Sequence, residues 1–172
     1  MIYTTFYLAL MDRLKDKVSA LKYFDLWNFQ FDQLEEEQDA LPFPLPAAFL
    51  RFGPNTNWES LGRLKQQALV EFSIVLGTES VIDTSNLGKD RNLGLEHLEL
   101  VDMVFAALHG FSGTGFGTIS RTMANIDHEH SNLHVTEISF KSLLTDTAAM
   151  LTQVAIEDLP QDIDSEFLPV DE

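Results

Sequence analysis

Cysteine is missing from this 172-residue chain, which excludes disulfides, thiolate catalysis and any cysteine-ligated zinc. Basic residues are scarce: 11 Lys and Arg stand against 27 Asp and Glu, a formal net charge of −16. A surface with that balance repels nucleic acid and anionic lipid. It lacks the basic footprint that sequence-specific DNA or RNA binding needs. No apolar run approaches the roughly 20 residues of a membrane-crossing helix. The opening residues Met1-Ile2-Tyr3-Thr4-Thr5-Phe6 have neither the basic region nor the cleavage site of a signal peptide. A protein made in a reducing cytoplasm, with no membrane partner, is the expectation. Gly-x-Ser-x-Gly and Gly-Lys-Ser/Thr are also absent, so the common nucleophile elbow and phosphate loop do not apply.

What is present suits a globular fold. Hydrophobic residues make up 45% of the chain and include 13 phenylalanines, each able to bury a large apolar area. Residues 1–156 are read as one α+β domain and residues 157–172 as an acidic, disordered tail. From Thr152 to Glu172 there are seven acids and no Lys or Arg. The remaining 151 residues still carry about −9, so the folded body is expected to be acidic as well.

Periodicity predicts the order α-β-β-β-α-β-β: a mostly antiparallel sheet of about five strands packed by two amphipathic helices. Tyr3, Phe6, Tyr7, Leu10, Leu14, Val18 and Leu21 recur at helical spacing over residues 2–21. Trp27, Phe29 and Phe31 alternate with polar residues, the pattern of a strand with one buried face. After the acidic stretch 35–39, prolines 42, 44 and 46 predict an extended lead-in to a second strand, Ala47 to Phe52. A third strand, Leu64 to Leu76, shows Leu64, Ala68, Val70, Phe72, Ile74 and Leu76 on one face. Thirteen residues extend roughly 43 Å, long enough to overhang its own core and reach a neighbour. Residues 77–94 read as a long polar loop. A second helix spans about Leu95 to His109, with Leu98, Val101, Val104, Phe105 and Leu108 as its buried face and Gly110 as its stop. Two strands, Thr118 to Ile126 and Leu133 to Leu144, close the set.

Few segments invite chemistry. His128, His130 and His134, beside Asp127, Glu129 and Glu137, have donors that suit zinc, iron or manganese. The spacing loosely matches the first cupin motif, but no second histidine motif follows. A solvated hairpin tip is the preferred reading, so no metal, cofactor or catalytic residue is assigned. The glycines of 110–117 follow a helix and precede a strand, the reverse of a dinucleotide site, and read as a connection. Glu96 and His97 read as solvated helix surface. Trp27 is assigned to the core. Trp58, in a polar loop, is either an interface anchor or a lid on the core. Candidate subunit or partner contacts are Trp58, Lys89, Asp90, Arg91, His128 and His130.

The layout resembles the phage tail terminator and tail-completion proteins. The likeness is carried by the opening helix to Leu21, Asp25-Leu26-Trp27-Asn28, Pro46-Ala47-Ala48-Phe49-Leu50-Arg51-Phe52, and the long strand Leu64 to Leu76. The helix within Leu95 to Asp102 and the strand Val135 to Phe140 complete it. It covers most of residues 1–145 and rests on layout, so no functional residue is carried over. The resemblance implies a non-enzymatic virion protein that forms a ring, hexameric in the family, at the tail end. Tail-tube and head-completion proteins would be its partners, and DNA would pass without specific binding. An acidic bore suits that passage, because duplex DNA carries a charge about every 1.7 Å. The alternatives are an acidic DNA mimic, motivated by the net charge, and a small metal-dependent enzyme using the 128–134 histidines.

Overall fold

A computed structural model describes residues 2–31, 42–54, 56–80, 85, 87–88, 91–127 and 133–150, with only the backbone for Arg91, Leu93 and Gly94. Its elements are α1 (Ile2–Lys17), β1 (Tyr23–Leu26), β2 (Ala47–Phe52), β3 (Glu59–Ser60), β4 (Gln66–Glu79), α2 (Arg91–Leu108), β5 (Ser120–Asp127) and β6 (Leu133–Asp146). The class is α+β in the anticipated order, with two-residue β3 as an addition. The sheet runs β1-β2-β4-β6-β5, and β3 pairs with the start of β4. All pairings are antiparallel except β1 with β2.

α1 forms because Ile2, Phe6, Leu10 and Leu14 place one apolar side chain per turn on the same face, and all four are buried. It stops four residues earlier than its periodicity suggests, with Lys15 and Lys17 in the last turn, where cations suit the negative end of the helix dipole. Both helices cover the same side of the sheet. There Phe6 meets Phe72 edge-on at 5.0 Å and Phe116 at 4.9 Å, while Phe72 stacks on Phe140 at 5.5 Å.

The alternation at Trp27, Phe29 and Phe31 does not make a strand. β1 ends at Leu26, and Phe29 takes a left-handed φ of 57°. Gln30 holds the turn with its own side chain: its Oε1 accepts from the Asn28 N–H at 2.6 Å, and its Nε2 donates to the Leu26 carbonyl at 2.8 Å. These local bonds outcompete a strand ladder. The parallel β1–β2 pairing needs a long crossover, and residues 27–46 supply it. Phe31 and Phe43 from this crossover pack with Phe49, Val75 and Val135 on the side of the sheet opposite the helices.

One glycine fits there for a steric reason. A Cβ on Gly77 would sit 2.3 Å from Cζ of the buried Phe31 ring. Gly77→Ala is expected to cost about 1–3 kcal/mol from overpacking. Urea unfolding should show a lower midpoint with an unchanged slope. A midpoint equal to that of the parent would mean that Phe31 does not hold this position.

β4 and β6 pair over all 14 residues, about 46 Å. β2 covers only Phe72–Gly77 of β4, so the Gln66–Glu71 half runs beyond it. The helix side of this overhang remains in the core through Ala68, Val70 and Leu144. Its other side does not.

Candidate functional site

Two places on the body are candidates: a cleft beside α2, and the side of the sheet opposite the helices. The cleft, about 370 Å³, lies between α2, the end of β4 and the lead-in to β2. Leu45, Pro46, Leu100 and Met103 make its apolar wall, and Lys22, Glu79, Glu96 and Glu99 its polar rim. His97 stands at its floor, 5% exposed.

His97 ties three elements together. Its Nδ1 is 2.8 Å from Thr78 Oγ1 on β4, and its Nε2 is 2.8 Å from Thr136 Oγ1 on β6. A neutral imidazole donates from one nitrogen and accepts at the other, so one threonine accepts and the other donates. Burial, and secondarily the neighbouring His134, lower its pKa to about 4. The His134 ring centre lies 5.6 Å away, and its buried Nε2 has no hydrogen-bond partner among the described residues. An imidazole with both nitrogens engaged and so little basicity serves as a clamp between helix and sheet. It is poorly suited to act as a general base near neutral pH.

His97 is buried in the core, not on the solvated helix surface that its polar character suggests. The buried face of α2 is His97, Leu100, Val104, Ala107 and Leu108, rotated by about one residue from the anticipated one. Leu98, expected inside, is 49% exposed. The spacing of His97, Leu100, Val104 and Leu108 is itself helical. A polar residue at the start of the stripe conceals it from a count of apolar residues alone.

Among the described residues, the opposite side of the sheet is covered at one end, by Phe31, Phe43 and their neighbours. Beyond them Arg51 pairs with Glu137, and Ser73 Oγ lies 3.1 Å from Ser139 Oγ across β4 and β6. Further along, Leu69 and Leu143 stand directly opposite each other, 53% and 43% exposed. A large apolar pair on the two central strands is left facing water.

Of the six contact residues singled out from sequence, only Trp58 has a described side chain. Trp58 is half-buried against the core, edge-on to Tyr3 at 6.2 Å. It sits as a lid. Arg91 begins α2, with its side chain outside the description, and Lys89, Asp90, His128 and His130 lie outside the described residues. Among the described residues no three His, Asp or Glu side chains gather to hold a metal ion, and no helix is long and apolar enough to cross a membrane. The glycines of 110–117 shape a turn, with Gly110 at φ 82° and Gly115 at φ 80°, that seats Phe116 in the core.

The described residues are nearly balanced in charge. The described residues hold twelve acids and ten bases, and the rest of the chain fifteen acids and one base. Nearly all of the net −16 therefore belongs to residues 32–41, 81–90, 128–132 and 151–172.

The structure is similar to a chain from the virion of a native gene transfer agent (GTA) particle. The TM-score is 0.48 and the identity 15%, and the match covers 80% of this chain and 92% of that one. No family model matches the sequence, and no curated protein matches it.

Proposed function

We propose that this chain is a structural virion protein, a tail-terminator or tail-completion subunit that forms a ring where the tail tube meets the head. The observation that carries this reading is the open sheet. A body whose helices cover one side, and whose central strands present Leu69 and Leu143 to solvent on the other, gains stability when a neighbour covers them. The order of elements is the one on which the family resemblance rests, and hexameric copy number follows from that resemblance. No catalytic role is assigned.

Charge fits the same role. The near balance of the described residues lets copies approach one another, while the acid excess of the remaining residues supplies repulsion that would keep DNA from sticking. A DNA mimic needs acids arrayed over its folded surface, and the described surface carries bases in nearly equal number.

Disrupting the gene in the producing strain tests the role. Particles made without the protein should accumulate as separate heads and tails, and supplying the protein should restore joining. Fully joined particles in its absence would overturn the reading.

A further inference from the structure

The sheet ends in two unlike edges, β1 on one side and β5 on the other. β1 is four residues long and carries Asp25, whose carboxylate accepts from the Tyr23 hydroxyl at 3.0 Å and from the Leu26 N–H at 2.8 Å. Shortness and a charge are two of the devices that keep an edge strand from pairing with another chain. β5 is eight residues long, and among the described residues it pairs with β6 alone. Its start is guarded: a bulge lies between Arg121 and Met123, and the Arg121 N–H donates to His109 Nδ1 at 3.3 Å. From Thr122 to Ile126 there is no charge and no proline, and all five residues are exposed.

We propose that β5 is a strand-addition edge whose occupant is β5 of a second copy, laid antiparallel so that two sheets join into one. This goes beyond the ring reading and does not depend on it. An edge strand turns the N–H and C=O of alternate residues outward, and another strand satisfies both. The side chains agree. Met123 lies opposite Ser139, on the side of the sheet away from the helices, and Ile126 lies opposite Thr136, which bonds His97 on the helix side. They are 56% and 51% exposed, so an added strand meets an apolar neighbour on each of its faces. A helix or loop resting on one side of the sheet would cover only one of them.

Charge sets the direction. The charged residues of β5 are Arg121 near one end and Asp127 at the other. Antiparallel copies bring each end beside the opposite sign, whereas parallel copies would bring like signs together. Arg121 keeps its charge while its guanidinium carbon stands 3.7 Å over the Phe105 ring. On β6, Lys141 lies opposite Glu71, and Glu137 pairs with Arg51. Those charges are balanced within their own sheet and leave the choice to β5. Because both copies use the same strand, the contact is isologous and stops at two.

Sedimentation across a range of concentrations, combined with amide hydrogen exchange, tests this on the full chain. The monomer should give way to a dimer as concentration rises. In the dimer, alternate amides between Thr122 and Asp127 should exchange at least about tenfold more slowly than in the monomer. Met123→Lys and Ile126→Lys change exposed side chains on opposite sides of the edge, and their thermal melts should match the parent. Each should weaken the dimer at least about tenfold, since a cation is added to both partners, and should lose the added protection in β5. Leu98→Lys, an equal change at an exposed position of α2, should leave both readouts as in the parent.

A parent that stays monomeric at every concentration, or a dimer with no new protection in β5, would overturn the proposal. So would lysine variants that dimerise as tightly as the parent. Annuli in negative-stain images without β5 protection would remove this contact and leave the ring reading standing. Dimers paired through β5, with no annuli at any concentration, would do the reverse.

Discussion

Shortening Phe6 to alanine is expected to destabilise the fold by about 3–5 kcal/mol, as for other buried phenylalanines. Phe6 is fully buried in the second turn of α1 and touches Phe72, Phe116 and Phe52. Removing its ring leaves a void bounded by β4 and the 113–117 turn, and neither can collapse far because both are held by backbone bonds. The Thr145 N–H donates to the Gly115 carbonyl, and the Gly117 N–H to that of Leu143. Total stability of a domain this size is about 5–15 kcal/mol, so the variant should melt many degrees lower or fail to fold. Leu87→Ala, at a side chain 90% exposed, should stay within about 0.5 kcal/mol of the parent and serves as the control. Thermal or urea unfolding measures both. A Phe6→Ala loss below about 1 kcal/mol would mean that α1 is not packed as described.

Stability is also expected to fall as pH drops from 6.5 towards 4, through His97. Its pKa is lowered from the ordinary 6.5 to about 4 in the folded state, by burial first and then by His134. Above pH 6.5 both folded and unfolded chains keep this imidazole neutral, so it contributes no slope. Between 6.5 and 4 the unfolded chain takes up a proton that the folded chain refuses, and the balance shifts towards unfolding. Each unit is worth about 1.36 kcal/mol, so the full effect is about 3 kcal/mol and about 2 is lost by pH 5. Glu79, Glu96 and Glu99 on the rim of the cleft act in the opposite sense, but burial is the larger influence. His97→Gln should remove most of this pH 6.5–5 slope. It should also cost about 1–3 kcal/mol at pH 7.5, where one threonine hydroxyl loses its partner. Urea midpoints at pH 7.5, 6 and 5 for both proteins decide the matter. A parent protein equally stable at pH 7.5 and 5 would contradict the buried, neutral histidine.

These two residues show how far the sequence could be read. Phe6 belongs to a run of apolar residues spaced for a helix, and its burial was legible directly. The same holds for β2, where Ala47–Phe52 coincides with the strand anticipated, and for the alternation that places Val70, Phe72 and Ile74 inside. His97 was not legible. The apolar stripe on α2 can be drawn in two ways one residue apart, and only Thr78 and Thr136, 19 and 39 residues distant, decide which of them is buried. The Trp27–Phe31 stretch failed differently. Its alternation is real, but Gln30 bonds the backbone locally and folds the strand pattern into a turn.

The chain alone determined the order of the main helices and strands, their class, and the exclusion of thiol chemistry. All of these depend on residue type and on spacing within one element. Tertiary structure decided which side of α2 is buried, why Gly77 must lack a side chain and that Leu69 and Leu143 are left exposed on the central strands. Each of these depends on which distant segments meet, and the periodicity of a single element carries no record of its partners.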